Sequence, residues 1–357
     1  MGNLDSRYKY DYGYMAIQTA NPIYNPGSVV SGTIYLRIGM AAPARQVVIE
    51  VKGTEKVSWM DSETRHHEGR QETVQVKRKH KREIFHFSAP CFQFSVPQLM
   101  VGDYTIPFSF VLPPSLPSSF QFMRPEMHQR PKGRVKYSLR ATMEDHHGKA
   151  MMKNKQVIIL REMGDNYQTD ITRTDEHDIS TWCCINQGRS RITTKFDKNV
   201  FEPHEVCKAY INVDNSNCNL NMEHVSLSLE QELTLTAGGH RFSHTFPLTT
   251  SLQPGVHARA NKDEQRVMEI DLKNVAPYNP PTHRKKAGQQ KQFSVEDLFM
   301  LRNLQAKCSG AHIQNNYFLS VRCRFAGCTC CSNLPVTRIP LTIVPIINPQ
   351  VWIQSQP

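Results

Sequence analysis

The sequence predicts an all-β protein built from two tandem antiparallel β-sandwiches. Three observations carry this reading: a succession of short alternating runs rich in β-branched residues, 22 prolines scattered among them, and a turn-and-strand signature found once in each half. At 357 residues the chain is long enough for two domains, at ~100–200 residues each. Each half can bury its own core.

The runs come in order. Val29 to Ile38 alternates and is β-branched, and Val47 to Val51 follows in the same style. Tyr104 to Phe110 and Arg134 to Arg140 complete the first half. The second half offers Cys207 to Val213, Val225 to Leu229, Tyr317 to Val321 and Ile339 to Val344. Many short strands with frequent turn signals predict sandwiches. Prolines at this density suit edge strands and loops better than helices. One stretch reads as a helix. Ser294-Val295-Glu296-Asp297 supplies N-cap chemistry for Leu298 to Leu304, giving a short helix inserted near 294–305.

The repeat aligns Tyr24-Asn25-Pro26-Gly27-Ser28-Val29 with Phe201-Glu202-Pro203-His204-Glu205-Val206. In both, an aromatic residue precedes x-Pro, a short turn and a strand, with proline fixing φ for the turn. The same device in each half predicts two copies of one domain. Arg161 to Ser180 is polar and acidic and reads as the connection. The expected boundaries are a first sandwich over 1–165, a linker over 166–180, a second sandwich over 181–349 and a tail over 350–357. Ala276 to Gln292, with Pro277, Pro280 and Pro281 before Arg284-Lys285-Lys286, reads as a long surface loop.

Composition sets the partner class. Hydrophobic residues are 39% and charged residues 21%, as in a soluble protein, and the formal net charge of +11 favours acidic partners. No run approaches the ~18 apolar residues of a membrane span. Met1 to Asp11 lacks the apolar core of a secretory signal, so the ten cysteines are expected to be reduced, as thiols or metal ligands. Met1-Gly2-Asn3-Leu4-Asp5-Ser6 fits the pattern for N-myristoylation at Gly2.

The sharpest charge feature is Lys77-Arg78-Lys79-His80-Lys81-Arg82. In a strand its side chains would alternate faces, so the run belongs at a hairpin tip or an exposed edge. Lys77, Arg78, Lys79, Lys81 and Arg82 are candidates for an anionic membrane surface or another anion. Each basic residue near such a surface is worth about 1 kcal/mol, and a polybasic patch can be the second signal beside a single acyl chain. The same run also fits a charged edge that blocks strand-to-strand aggregation. Nucleic acid is not expected, because Phe85 and Phe87 alternate like core residues rather than forming a stacking face. Cys323, Cys328, Cys330 and Cys331 are a candidate zinc set. The spacing also fits reduced thiols in a turn between the last two strands, or sites of S-acylation. No nucleophile elbow, phosphate loop or H-E-x-x-H motif is present, so no enzyme and no cofactor is expected. His66-His67, His146-His147 and His240 read as solvated histidines.

These residues also carry a resemblance. Tyr24 to Gly32, Val51 to Trp59, and above all Gly102-Asp103-Tyr104-Thr105-Ile106-Pro107-Phe108-Ser109-Phe110-Val111-Leu112-Pro113, continuing to Gly133 through Leu139, are similar to the N-domain of the arrestin family, closest to its α-arrestin branch. Trp182-Cys183-Cys184, the Phe201 turn, Ile211 to Ser216, Gly310 to Val321 and Ile339 to Ile343 resemble the C-domain. The resemblance implies immunoglobulin-like N- and C-domains and non-enzymatic adaptor work. The implied partners are cytosolic tails of membrane proteins or other trafficking proteins, and the implied place is cytoplasmic, peripheral at the cytosolic membrane face. It also allows a constitutive structural subunit, like the retromer subunit of similar fold. Tyr278-Asn279-Pro280-Pro281-Thr282-His283 lacks the tyrosine of Pro-Pro-x-Tyr, so ubiquitin-ligase recruitment through that motif is not implied. Arg7 and Lys9 are the only bases near the place of the family's phosphate-sensing lysine pair.

Overall fold

The computed structural model describes residues 9–67, 70–162, 164, 166–182, 185–275, 304–329 and 333–345. The first half contains β1 (Lys9–Tyr10), β2 (Gly13–Thr19), β3 (Ile23–Tyr24), β4 (Val29–Ile38), β5 (Gln46–His67), β6 (Arg70–Gln93), β7 (Gly102–Val111), β8 (Phe120–Met123), β9 (Lys132–Glu144) and β10 (Ala150–Leu160). The second contains β11 (Thr169–Thr181), β12 (Ile185–Lys198), β13 (Val200–Phe201), β14 (Val206–Asp214), β15 (Met222–Ala237), β16 (His240–Pro254), β17 (Asn261–Asp271), β18 (Cys308–Ser309), β19 (Ile313–Phe325) and β20 (Val336–Ile343). Among the described residues the one helical piece is a 3-10 turn at Leu272–Asn274. The all-β expectation holds.

The internal repeat extends to the whole topology. One sheet of the first sandwich runs β1-β2-β4-β7 and the other β3-β10-β9-β5-β6, with β8 alongside β9. The second sandwich runs β11-β12-β14-β17 and β13-β20-β19-β15-β16, with β18 alongside β19. Every strand thus has its counterpart ten strands later. The signature turns occupy equivalent places. Tyr24 and Phe201 are both buried, and each ends a two-residue strand that pairs with the last strand of its sandwich. Both of these short ladders are parallel, the exception to the antiparallel pairing expected. The buried aromatic rings hold the chain there before Pro26 and Pro203 turn it into β4 and β14.

Two expectations change. The polar stretch assigned to a linker over 166–180 is mostly β11, registered on β12 from Thr169 to Thr181. Its polarity is that of an edge strand: Ile171, Ile179 and Thr181 face inward, and the outer positions carry pairs such as Asp178 with Arg189 and Asp170 with Lys195. Charge on an edge strand blocks further pairing, which is why the composition mimics a linker. The connection between sheets is therefore 161–168. The run read at Val47 to Val51 belongs to a strand of 22 residues paired with one of 24, because alternation continues through Val57 and Trp59, both buried. The helix expected near 294–305 lies outside the described residues up to Asn303. Leu304 and Gln305 at its end are buried but not helical. The surface loop expected over 276–292 and the tail over 350–357 also lie outside the described residues.

The extended half of β5 reaches the second sandwich and joins it. Leu233, Leu235, Ala237, Phe242, Cys308 and Ile313 pack into the core of the first sandwich, and the Trp59 and Phe242 rings meet at 6.5 Å. Glu55 is fully buried at this joint. Its Oε1 accepts hydrogen bonds from the backbone N–H groups of His312 and Ile313, each at 2.9 Å. A Cβ on Gly310 would collide with that oxygen, so the β18–β19 turn needs glycine there. Glu162 repeats the arrangement, accepting from Ser118 N and Ser309 N at 2.8 Å. Gln305 donates to and accepts from the Gln121 backbone. Burial and the nearby carboxylates push the Cys308 thiol well up, so it serves as an uncharged packing group.

Removing the Glu55 carboxylate strands two N–H donors, one of them fully buried. Each orphaned buried donor costs about 1–3 kcal/mol. The Glu55→Ala variant is expected to lose about 2–4 kcal/mol of unfolding free energy, to be measured by urea denaturation. A loss under about 0.5 kcal/mol would mean the joint does not rely on this carboxylate.

Candidate functional site

Strand register assembles the basic residues into a cleft on the outer face of the sheet formed by β6, β5, β9 and β8. Lys81 lies opposite Lys56, and Lys79 opposite Ser58. Across the next ladder Lys56 faces Arg134 and Ser58 faces Lys132, and β8 completes the rows with Gln121 and Met123. Lys77 lines the same cavity, whose volume is about 450 Å³. No carboxylate lines it.

Alternation divides the basic run. Lys77, Lys79 and Lys81 are exposed and face the cleft. Arg78 points to the opposite side, where Asp61 and Glu63 neutralise it with its side chain 16% exposed. The His80 ring meets the His312 ring at 4.0 Å with a 36° tilt, tying the rim of the cleft to the interdomain joint. Arg82 is exposed and sits opposite Glu55 in the ladder. The expected exposed edge is present: β6 ends its sheet. Phe85 and Phe87 are half-buried against the core, as their alternation predicted.

Lys56, Lys77, Lys79, Lys81 and Lys132 form no ion pair among the described residues. Like charges directly opposite in a ladder repel, so the cleft concentrates positive potential that an anionic ligand would relieve. Ammonium groups act as point charges toward phosphate or carboxylate oxygens. The arrangement therefore suits a segment carrying several clustered anionic groups.

The remaining candidates separate. Cys323 is a core residue of the second sandwich, and burial pushes its thiol up to about 12. Cys328 lies in the β19–β20 turn, where its carbonyl accepts from Trp182 N at 3.2 Å. Cys330, Cys331 and Gly2 lie outside the described residues. Among the described residues no group of three or more His, Cys, Asp or Glu is placed to hold a metal. His146 and His147 occupy the β9–β10 turn, and His240 starts β16 within 3.6 Å of Asp61. Sequence reasoning missed Lys56, Lys132 and Arg134. Lys56 stands in β5 and Lys132 and Arg134 alternate along β9, and only the ladder register brings them to the basic run.

Two like-built sandwiches sharing a joint, the first carrying a lysine-lined cleft, define a protein of the tandem-sandwich class. Comparison with known proteins gives the family. Residues 14–166 match the arrestin (or S-antigen) N-terminal domain and residues 186–348 match the arrestin (or S-antigen) C-terminal domain, most of the chain together. The chain is similar to arrestin domain-containing protein A of Dictyostelium discoideum, 24% identical over 206 residues, which are 56% of this chain and 34% of that protein. The chain thus spans about a third of that relative's length. The protein belongs to the arrestin family and is α-arrestin-like. Members of this family are in general non-enzymatic adaptors in protein trafficking.

Relieving the lysine crowding should raise stability. Lys56→Gln is expected to gain about 0.5 kcal/mol in urea unfolding at low salt, with the gain shrinking at high salt as screening sets in. A gain of the same size at both salt levels would show that charge repulsion is not its source.

Proposed function

We propose that this protein is a non-enzymatic adaptor that holds acidic or phosphorylated cytosolic segments of membrane proteins, or of other trafficking proteins, in the basic cleft of its first sandwich. It works in the cytoplasm, peripherally at the cytosolic face of a membrane, with an N-myristoyl group on Gly2 as one anchor. The observation that carries the reading is the row-by-row convergence of Lys56, Lys77, Lys79, Lys81 and Lys132 from three strands with no acid among them. The adaptor character of the family supports it. A second reading, a constitutive subunit of a larger assembly, draws support from the shared core that fastens the two sandwiches into one body. Stoichiometric co-purification with one complex distinguishes it from transient, stimulus-dependent recruitment.

The test is fluorescence anisotropy with a peptide carrying clustered phosphoserines and aspartates, beside a neutral peptide of equal length. Wild-type protein is expected to bind the anionic peptide with an affinity that falls steeply with salt. Lys56→Glu/Lys79→Glu/Lys81→Glu should weaken it by at least about tenfold, at roughly 0.5–1 kcal/mol or more per reversed charge. Equal affinity of the two proteins would refute the cleft as the docking site. Retained peptide binding with loss only of anionic-vesicle binding would assign the cleft to the membrane instead.

A further inference from the structure

The end of the first sandwich farthest from the joint exposes apolar side chains on two neighbouring loops. The β4–β5 loop presents Met40, 51% exposed, and the β6–β7 loop presents Val96, Met100 and Val101, at 47%, 64% and 64%. The loops are bridged to each other: Ala42 and Leu99 exchange backbone hydrogen bonds at 2.9 and 2.7 Å. Ile38 pairs with Gly102 just inside them. Met40 and Met100 therefore stand on facing segments of one bridged tip. A Cβ added at Gly39 would meet nothing within 4 Å, so the surface there is open.

The chemistry of this tip is unusual for a solvent-facing loop. Ile84 to Gly102 contains no Asp, Glu, Lys or Arg, and neither does Ile38 to Ala44. Charge begins at the rim, where Arg37 pairs with Asp103 and the β9–β10 turn places Asp145, His146, His147 and Lys149 beside the β6–β7 loop, with a His146 Nε2 contact to Pro97 O at 3.2 Å. The rim carries both signs. A tip with an uncharged apolar apex and a rim of mixed charge matches the boundary between lipid headgroups and acyl chains rather than an anionic surface.

The turn after β1 adds to this. Residues 1–8 lead into β1, and the turn after it abuts the tip: Gly39 N donates to Tyr12 O at 2.9 Å. The chain from Gly2 to Lys9 reaches at most about 25 Å, so a lipid on Gly2 and the apolar tip can enter one bilayer. The basic cleft is elsewhere. At about 3.3 Å per residue, Lys79 lies on the order of 45 Å along β6 from Gln93 at the tip end. We infer that the β4–β5 and β6–β7 loops of the first sandwich insert Met40, Val96, Met100 and Val101 into the interface of a lipid bilayer, leaving the basic cleft clear of that contact for a partner.

The test is cosedimentation of the full chain with pure phosphatidylcholine vesicles at about 0.1 M and about 0.5 M salt. Wild-type protein should partition equally at both. Met100→Asp/Val101→Asp should reduce partitioning about tenfold at both, while Lys79→Glu/Lys81→Glu should leave it unchanged. Both tip residues are well exposed, so the thermal midpoint should not move; Met40→Asp serves as the second variant if it does. No partitioning by the wild type, partitioning abolished by salt, or tip variants that bind as the wild type would each overturn the inference. Tip variants that lose self-association but keep vesicle binding would also overturn it, by assigning the tip to a protein contact.

Discussion

The architecture depends on a carboxylate that is withheld from water. Glu55 lies midway along β5, between Arg82 of β6 and Val135 of β9, and its Oε1 takes two N–H groups from the turn that opens β19. A buried carboxyl group without donors is costly; the two backbone hydrogen bonds to Oε1 offset part of that cost. The result ties the long hairpin of one sandwich to the central strand of the other. Because Leu233, Leu235 and Ile313 complete the core beneath this contact, the two sandwiches share apolar burial as well as a polar clasp.

The clasp also positions the cleft. Lys56 is the residue after Glu55, and its side chain points to the opposite face. Fixing Glu55 toward the joint therefore fixes Lys56 outward, in line with Lys81 and Arg134. The tilted His80–His312 ring contact sits at the edge of the same region. The lysine row and the interdomain clasp are thus two faces of one strand. A ligand drawn to the lysines acts on residues adjacent to the interdomain contact, while the apolar tip stands at the far end of the same sandwich.

Much of the fold was legible in the sequence because its signals are local. The Tyr24 and Phe201 turns disclosed the duplication, since a buried aromatic residue followed by proline and a turn recurs at the same topological place. Alternation placed Phe85 and Phe87 against the core and the basic run on an edge. The arrestin resemblance drew on the same ordered strands and agrees with the family found. What was missed depends on neighbours across ladders. β11 reads as a linker because an edge strand can be polar on nearly every residue. Lys132 and Arg134 look like scattered surface bases until β9 is set beside β5. Glu55, within Thr54-Glu55-Lys56-Val57, carries no local mark of burial. Its partners are more than 250 residues away.

Native-state amide hydrogen exchange tests the central claim, that the two sandwiches form one body pinned at Glu55. The Ile313 amide should exchange only through global unfolding, with the same protection free energy as core amides of both sandwiches such as Leu139 and Leu319. Exchange of Ile313 through a low-energy local opening, while those core amides stay protected, would contradict the account.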